Sequence, residues 1–588
     1  MSEKTLTGYP SIDKPWLKYY SEESLKAASP ECSVACRIYE HNKEHLNDTA
    51  FIFYGKKITY RKMFLEIDRA AVAFAKSGIK KDDKVILFTS STPEVIEAIL
   101  ALGKLGAVAN MINPLFTQEQ IAGRINESGA SALIVMEQLW DKLEGVIDKL
   151  CVEKIIVVSV LDSMPTYIRC LVGCKLKANI KYSRNIIRWN DFIEQNQDTP
   201  IVVKDNYEKG QPFVMVYSSG TTGASKGIVL THDGINATIS HYISPDFPYK
   251  REDRFLQMVP IWFSTGIVIT CLMPLCLGVT VVLEPVFSAK TFCQDVRKYK
   301  PSMTLVSTSL WLALCNDKKS RNADLSLMKY PITGGEALLP RAEDYINNFL
   351  RKRNCEVGIL SGYGMCELGS TVTSNTNNHK RKGSAGIPIT GVTVAAFDLD
   401  TNEEMKYNQR GELRVMSPAR MKYYYKNEAA TREYFYVDAK GNTWGCTGDI
   451  GYLDEDGYVY VLGRATDCFT ALTGRKIYNF DIENMAYMSE NIARCKAVAL
   501  PTKQGYEIAV LHVAKEDNYK GTDAQLIKEL QELSNKYLEK DSIPSGYKIC
   551  GSLPVKASGK LDMEKLKQDR NGFYVVEDNE FKYIDFAF

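Results

Sequence analysis

The sequence predicts an α/β protein of layered sheets and helices, divided into at least two domains. Three observations lead there. Short β-branched runs alternate with amphipathic stretches of helical period, the pattern of strands that cross over through helices into parallel sheets. The chain has 588 residues, more than one hydrophobic core ordinarily supports. A short apolar run, Pro212-Phe-Val-Met-Val-Tyr217, reads as a buried strand and leads directly into a loop dense in glycine and hydroxyl residues.

Taken in chain order, Val-Ile-Leu-Phe at 85–88 reads as a strand and 95–104 as its helix. Ala-Leu-Ile-Val at 132–135 is the next strand, with a helix expected over 139–149. Segment 166–188 is rich in Lys and Arg, has no Asp or Glu, and interleaves them with Ile, Leu, Val, Tyr and Cys. Such a segment either rests on an anionic membrane surface or forms a solvated helix face, and both readings stay open. The loop after Tyr217 is expected to leave the edge of its sheet. The apolar run 266–283 is broken by Pro274 and Gly278, so a buried helix, a turn and a buried strand are expected rather than a membrane span. Residues 452–462 look like a hairpin with an Asp-Gly turn, and a new pattern begins at Gly463-Arg464, which marks a domain boundary. Beyond Arg570 the chain is acidic and aromatic, with no assignable role. No internal repeat or low-complexity tract appears.

Composition narrows the function classes. Apolar residues make up 45% and charged residues 24%, ordinary values for a globular enzyme. Seventy-three Lys and Arg face 71 Asp and Glu, a net charge of +2, which leaves no footprint for nucleic acid. The first residues lack the apolar run of a signal peptide, so a cytoplasmic location is expected. Fifteen cysteines are scattered rather than spaced as a disulfide scaffold and read as reduced, mostly buried thiols. The pairs Cys32/Cys36 and Cys170/Cys174 have no histidine nearby and make no zinc site. His232 reads as a hydrogen-bonded residue at a helix start rather than a base.

The densest chemistry lies in Ser218-Ser219-Gly220-Thr221-Thr222-Gly223-Ala224-Ser225-Lys226-Gly227. Glycines let backbone N–H groups approach an anion, hydroxyls add donors, and the lysine adds a point charge, so the loop suits a polyphosphate. A Walker loop needs glycine before its lysine and Ser or Thr after it; here Lys226 stands between Ser225 and Gly227.

This loop resembles the phosphate-binding signature of the adenylate-forming superfamily, which includes acyl-CoA synthetases, aryl-CoA ligases and peptide-synthetase adenylation domains. Further segments are similar to that family in its own order: Ile58-Thr-Tyr60, Leu105-Gly106-Ala107 with Asn113-Pro114, Pro260-Ile-Trp262-Phe263, Gly334-Gly335-Glu336, Gly362-Tyr363-Gly364-Met365-Cys366-Glu367, Gly411-Glu412-Leu413, Thr447-Gly448-Asp449, Gly463-Arg464 and Pro554-Val-Lys-Ala-Ser-Gly559-Lys560. The resemblance implies a large N-terminal adenylation domain over 1–464 and a small mobile α+β domain over 465–570 that rotates at the boundary, with 571–588 left as a tail.

It also implies ATP-dependent activation of a carboxylic acid to acyl-AMP, then thioester formation with coenzyme A. Ser218, Ser219, Gly220, Thr221, Thr222, Gly223 and Lys226 would take the β- and γ-phosphates, and Glu367 would hold Mg²⁺ between phosphate oxygens. A carboxylate acting on a helix N-terminus is the plainer reading of Glu367. Lys560 would reach the substrate carboxylate and the bridging oxygen. Tyr363 would stack on adenine, Asp449 would accept the ribose hydroxyls, and Arg464 would contact the same sugar. Gly334, Glu336, Gly364 and Cys366 complete the expected nucleotide site; Gly474 would allow pantetheine a close backbone approach, and Lys476 would sit near the acyl phosphate.

Four departures matter. Phe263 stands where many relatives have His, Cys366 where Thr is common, and Thr466 where the hinge usually has Asp or Lys. Ser264 replaces the Asp that pairs with an amino acid's ammonium, which disfavours amino-acid substrates. The pocket expected around Trp262, Phe263, Ser264, Gly334 and Gly362 therefore suits a hydrophobic acid, and a medium- or long-chain fatty acid is the leading expectation. An enzyme that loads a fatty or aryl acid onto an acyl carrier protein is the alternative, and a non-catalytic nucleotide binder the second alternative.

Overall fold

The computed structural model describes residues 6–197, 203–218, 225–516, 518–555, 561–577, 580–584 and 586. The apolar runs of the first part of the chain become two large sheets. One has the strand order Tyr423–Tyr424, Gly227–Thr231, Pro212–Tyr217, Val108–Met111, Lys84–Phe88, Ala132–Met136, Lys154–Val158, Ile186–Arg188. From Pro212–Tyr217 to Ile186–Arg188 every pairing is parallel; the two pairings beyond it are antiparallel. The other sheet has nine strands: Ile387–Pro388, Thr373–Ser374, Leu360–Tyr363, Tyr330–Thr333, Met303–Val306, Arg254–Gln257, Thr280–Leu283, Thr49–Phe53 and Lys56–Thr59. Its centre is parallel and its ends antiparallel. Helix Pro93–Leu105 joins Lys84–Phe88 to Val108–Met111 and buries every residue but Lys104. Pro93 opens it, and Gly106, at φ +76, closes it in the left-handed region that glycine enters without penalty.

Three local expectations change. The strand Pro212–Tyr217 is third from the end of its sheet, so the glycine-rich loop leaves the end of an inner strand, not a sheet edge. Two strands contributed by later sequence pair outside it, which no local pattern reports. Over 139–149 no continuous helix forms; short turns Glu137–Leu139, Asp141–Glu144 and Ile147–Lys149 replace it, interrupted where Val146 takes φ −130 after Gly145. The run 266–283 gives helix, turn and strand in the expected order, but its first part, Thr265–Leu272, winds as a π-helix. Helix Met273–Leu277, Gly278 at φ +75 and strand Thr280–Leu283 follow. A Cβ on Gly266 would lie 1.9 Å from the Pro260 carbonyl oxygen, and Thr270 Oγ1 donates to the Gly266 carbonyl at 2.6 Å. Among the described residues no helix is long and apolar enough to cross a membrane.

The chain divides into two compact units, 1–447 with 452–460, and 448–451 with 461–588. The cut passes through strands Thr443–Leu453 and Val459–Arg464 of a third, five-stranded sheet. Between them Asp454 and Tyr458 close a tight turn, with Gly457 at φ +91. In the second unit, helices Asn479–Ala486 and Asp523–Tyr537 bury Ile482, Leu526 and Leu530 with Leu511 and Val513 of a five-stranded sheet. The residues after Arg570, set apart by sequence as a tail, add strands Phe573–Glu577 and Glu580–Ile584 to that sheet. Phe573 is fully buried, its ring 5.3 Å from Phe586, which explains the aromatic composition there.

Candidate active site

Strands Pro212–Tyr217 and Gly227–Thr231 pair antiparallel, Tyr217 opposite Gly227, and so bring the two ends of the glycine-rich loop together. Three hydrogen bonds close its base: Ser218 N–H to the Lys226 carbonyl at 3.0 Å, Lys226 N–H to Ser218 Oγ at 3.0 Å, and Ser225 Oγ to the Ser218 carbonyl at 2.6 Å. Arg124 donates to the Ser225 carbonyl, with its guanidinium 5.3 Å from the Tyr217 ring centroid. Ser219, Gly220, Thr221, Thr222 and Gly223 lie outside the described residues, as do Gly559 and Lys560.

Glu367 comes to this loop base through a chain of close packing. Strand Leu360–Tyr363 ends in a turn that only glycine can make: a Cβ on Gly364 would sit 1.6 Å from the Ser370 carbonyl oxygen, and one on Gly362 2.9 Å from that of Thr373. Cys366–Leu368 then forms one short 3₁₀ turn. Strand Tyr423–Tyr424 pairs with Gly227–Thr231, Tyr424 opposite Ile228. That pairing places the Lys226 ammonium 4.9 Å from the centroid of the Tyr424 ring, while the Tyr424 hydroxyl donates to Glu367 Oε1 at 2.9 Å. Met421 N–H donates to the Glu367 carbonyl at 2.6 Å. Burial raises the Tyr424 phenol, and the Glu367 charge raises it further; the buried Tyr434 responds to the same two causes in the same order. Both phenols therefore stay protonated near a carboxylate that is only 8% exposed, Tyr424 donating to it and Tyr434 to the Met365 sulfur at 3.8 Å.

Sequence reasoning missed Tyr424. Its signal was the run Met421-Lys-Tyr-Tyr-Tyr-Lys426, a short aromatic strand pattern whose partner the sequence does not name.

A single buried carboxylate with a neutral neighbour suits Mg²⁺, which keeps waters and takes phosphate oxygens rather than a full protein cage. Among the described residues no group of three or more His, Cys, Asp or Glu could hold a metal by itself.

On the acid side, Trp262 and Ser264 are buried and Phe263 is half-buried, its ring 6.3 Å from that of Trp262. Trp262 Nε1 and Ser264 Oγ have no hydrogen-bond partner among the described residues. Thr265, which opens the π-helix, accepts a hydrogen bond from Ser370 Oγ at 2.9 Å, so the acid-side helix and the turn carrying Glu367 are tied together. Gly334 follows strand Tyr330–Thr333 and approaches within 3.8 Å of the Gly362 carbonyl, reckoned from the position of a Cβ. Glu336 turns elsewhere: its Oε1 accepts from Ser309 N–H at 2.8 Å, at the start of helix Thr308–Asn316. Tyr363 and Cys366 are half-buried.

In the second unit, Asp449 is buried and pairs with Arg464, Oδ1 to Nε at 3.1 Å. Gly474, at φ +83, makes the turn of a hairpin between Cys468–Thr470 and Lys476–Tyr478, with Thr470 opposite Lys476. Thr473 donates to Asp541 at 2.5 Å and Arg475 pairs with Glu539, which fixes this hairpin; Lys476 itself is exposed. His232 begins helix His232–Tyr242, fully buried, with Nδ1 accepting from Val34 N–H at 3.2 Å and its ring stacked 4.2 Å from Phe213. It is the structural residue its position suggested.

The model of the family of AMP-binding enzymes matches residues 38–425. The chain is 24% identical over 564 residues to a long-chain-fatty-acid–CoA ligase of Bacillus subtilis (strain 168), covering 95% of this chain and 98% of that one. It is 24% identical over 562 residues to 4-coumarate–CoA ligase-like 3 of Arabidopsis thaliana, covering 94% and 96%. Among solved structures it is similar to the anthranilate CoA ligase AuaEII in complex with anthranoyl-AMP, with a TM-score of 0.76, 21% identity, and coverage of 92% of this chain and 97% of that chain. The mixed α/β architecture is the one these ligases share.

Proposed function

The chain belongs to the AMP-binding enzyme family, and from that premise we propose that it is an acid–thiol ligase acting on a medium- or long-chain fatty acid. The acid's carboxylate oxygen attacks the α-phosphorus of ATP, the bond to pyrophosphate breaks, and the acyl group then passes from AMP to the sulfur of coenzyme A. One observation carries the reading: Lys226, Tyr424 and Glu367, far apart in sequence, form a continuous cation–ring–carboxylate contact at the base of the glycine-rich loop.

Each residue then has a task. Joining two anions requires their charge to be held without water. Lys226 stands at the loop base as the cation for the terminal phosphates, and the loop residues Ser218 to Gly223 add amides and hydroxyls. Glu367 would hold Mg²⁺, which neutralises phosphate charge when bound, and Tyr424 orients that carboxylate. Tyr363 offers a ring for adenine, Asp449 and Arg464 form the ribose-reading pair, and Lys560 positions the attacking carboxylate. Gly474 and Lys476 lie on a fixed hairpin suited to pantetheine. Ser264 and the apolar π-helix leave no carboxylate for a substrate ammonium, in keeping with a fatty acid.

The test is exchange of labelled pyrophosphate into ATP over a series of fatty acids, followed by thioester formation with free coenzyme A. Exchange that rises with chain length and thioester with free coenzyme A are expected. Absence of exchange with every acid would sink the reading.

A further inference from the structure

We propose that the outer face of helix Thr166–Leu176, with the basic stretch that follows it, is a docking surface for an anionic phospholipid bilayer. The helix has two apolar faces. Ile168, Val172 and Leu176, at i, i+4 and i+8, pack against the main hydrophobic core. Tyr167, Cys170 and Leu171, at i, i+3 and i+4, point the opposite way and are exposed, Leu171 by 78% and Tyr167 by 67%. A merely solvated face would carry polar residues there.

The body holds this helix in place from below. Gln138 Nε2 donates to the Leu176 carbonyl at 2.9 Å, and Ala178 N–H donates to Glu137 at 3.1 Å. The outer apolar face is thus presented on a fixed element rather than on a loose loop. Around it Arg169, Lys175, Lys177, Lys181 and Arg184 are all exposed, and none of these five has a carboxylate within ion-pair distance among the described residues. Beyond them, Arg188 lies 4.6 Å over the ring of Tyr182, which is itself 38% exposed. Segment 166–188 contains no Asp or Glu. Glu137, which approaches from the body, is buried and committed to Ala178 N–H.

Apolar side chains projecting from a helix and ringed by exposed cations match the chemistry of a bilayer surface with anionic headgroups: the apolar groups enter the acyl boundary and the cations meet phosphate. An acidic protein would satisfy the cations but would leave no reason for an outward Leu and Tyr on a convex helix. The inference stands apart from the ligase reading, because none of these residues belongs to the site.

Co-sedimentation of the full chain with vesicles tests it. Binding to phosphatidylcholine vesicles containing phosphatidylglycerol, with little binding to pure phosphatidylcholine and loss at high salt, is the expected result. Leu171→Ser should lower the partition coefficient by roughly tenfold. Lys175→Ser, Lys177→Ser and Lys181→Ser together should lower it by roughly a hundredfold, since each cation near the surface contributes about fivefold. Both variants should keep the parent's unfolding temperature and its pyrophosphate exchange with a short soluble acid, which separates docking from folding and catalysis. No vesicle binding, equal binding to both vesicle types, or variants that bind like the parent would each overturn the proposal.

Discussion

In the first unit, the surroundings of Glu367, proposed above for phosphate, and those of Trp262, proposed for the acid, are built on opposite plans. Around Glu367, charge is matched before any ligand arrives: the carboxylate accepts from Tyr424, and Lys226 lies against the same ring. Around Trp262 the wall is buried and mostly apolar over 266–272; Thr270 bonds back to the Gly266 carbonyl, and Trp262 Nε1, Ser264 Oγ and Gln257 Oε1 have no partner among the described residues. Leaving a buried polar group unpaired costs about 1–3 kcal/mol. The contrast teaches how one site handles two ligands. A polyphosphate demands fixed charge, which must be held in geometry by other charges and hydrogen bonds, whereas an acyl chain demands shape, which close backbone packing supplies.

The largest break in that contrast should come from removing the cation proposed for the reacting carboxylate. Lys560→Ala should slow adenylation by roughly 10²–10³-fold, the usual cost of one donor aimed at developing charge, while ATP binding by calorimetry stays near the parent value. Near-normal adenylation would remove Lys560 from its role.

Next comes the scaffold behind the phosphate side. Burial holds the His232 imidazole down to about 4, with Asp233 opposing that shift. Because its pKa in the fold is below the ordinary value, its contribution is complete above about pH 6.5 and is lost as pH falls toward about 4, a difference of roughly 3 kcal/mol. Denaturant titrations at successive pH values should show stability falling over that window, and His232→Gln should reduce the slope, the buried His241 and His512, also held down by burial, supplying the rest. The acid-side wall 266–272 contains no titrating Asp, Glu or His and should not contribute.

A smaller effect is expected from Tyr424→Phe, which removes one hydrogen bond to Glu367 and keeps the ring under Lys226. Roughly tenfold weaker turnover is expected, together with a higher magnesium requirement measured by titration at fixed ATP. An unchanged magnesium dependence would show that Tyr424 does not position the carboxylate. The smallest effect belongs to Ser264→Ala. Losing an unpartnered buried hydroxyl should leave stability unchanged or raise it, by up to about 1–3 kcal/mol, and alter only the ranking of acids in a chain-length series; a loss of stability would mean that the hydroxyl has a partner in the fold.

Much of this was legible residue by residue. The glycine-rich loop and the Gly362-Tyr363-Gly364 turn announce themselves because only certain residues can make them: Gly364 has no room for even a methyl group. His232 and Gly278 behaved as their neighbours in sequence implied. Tyr424 did not show itself, since a two-residue strand has no period to read and its partners, Ile228 and Glu367, are remote. Glu336, expected at the nucleotide site, has one carboxylate oxygen accepting from Ser309 N–H at the first turn of helix Thr308–Asn316, a partner its neighbours in sequence do not name. The π winding at 265–272 was equally invisible, because an apolar run signals burial without specifying the number of residues per turn.

What the chain alone determined is therefore local: where strands and helices alternate, where glycine must stand, where hydroxyls and glycines concentrate in one loop, and where cations gather without acids. Those features follow from sterics and solvation acting over a few residues. Only tertiary structure decided that Pro212–Tyr217 is an inner strand, that the residues after Arg570 complete a sheet, that Asp449 meets Arg464, and that the outer face of Thr166–Leu176 stays uncovered. Each of these depends on which distant surfaces bury one another, and burial between distant segments is a property of the folded whole.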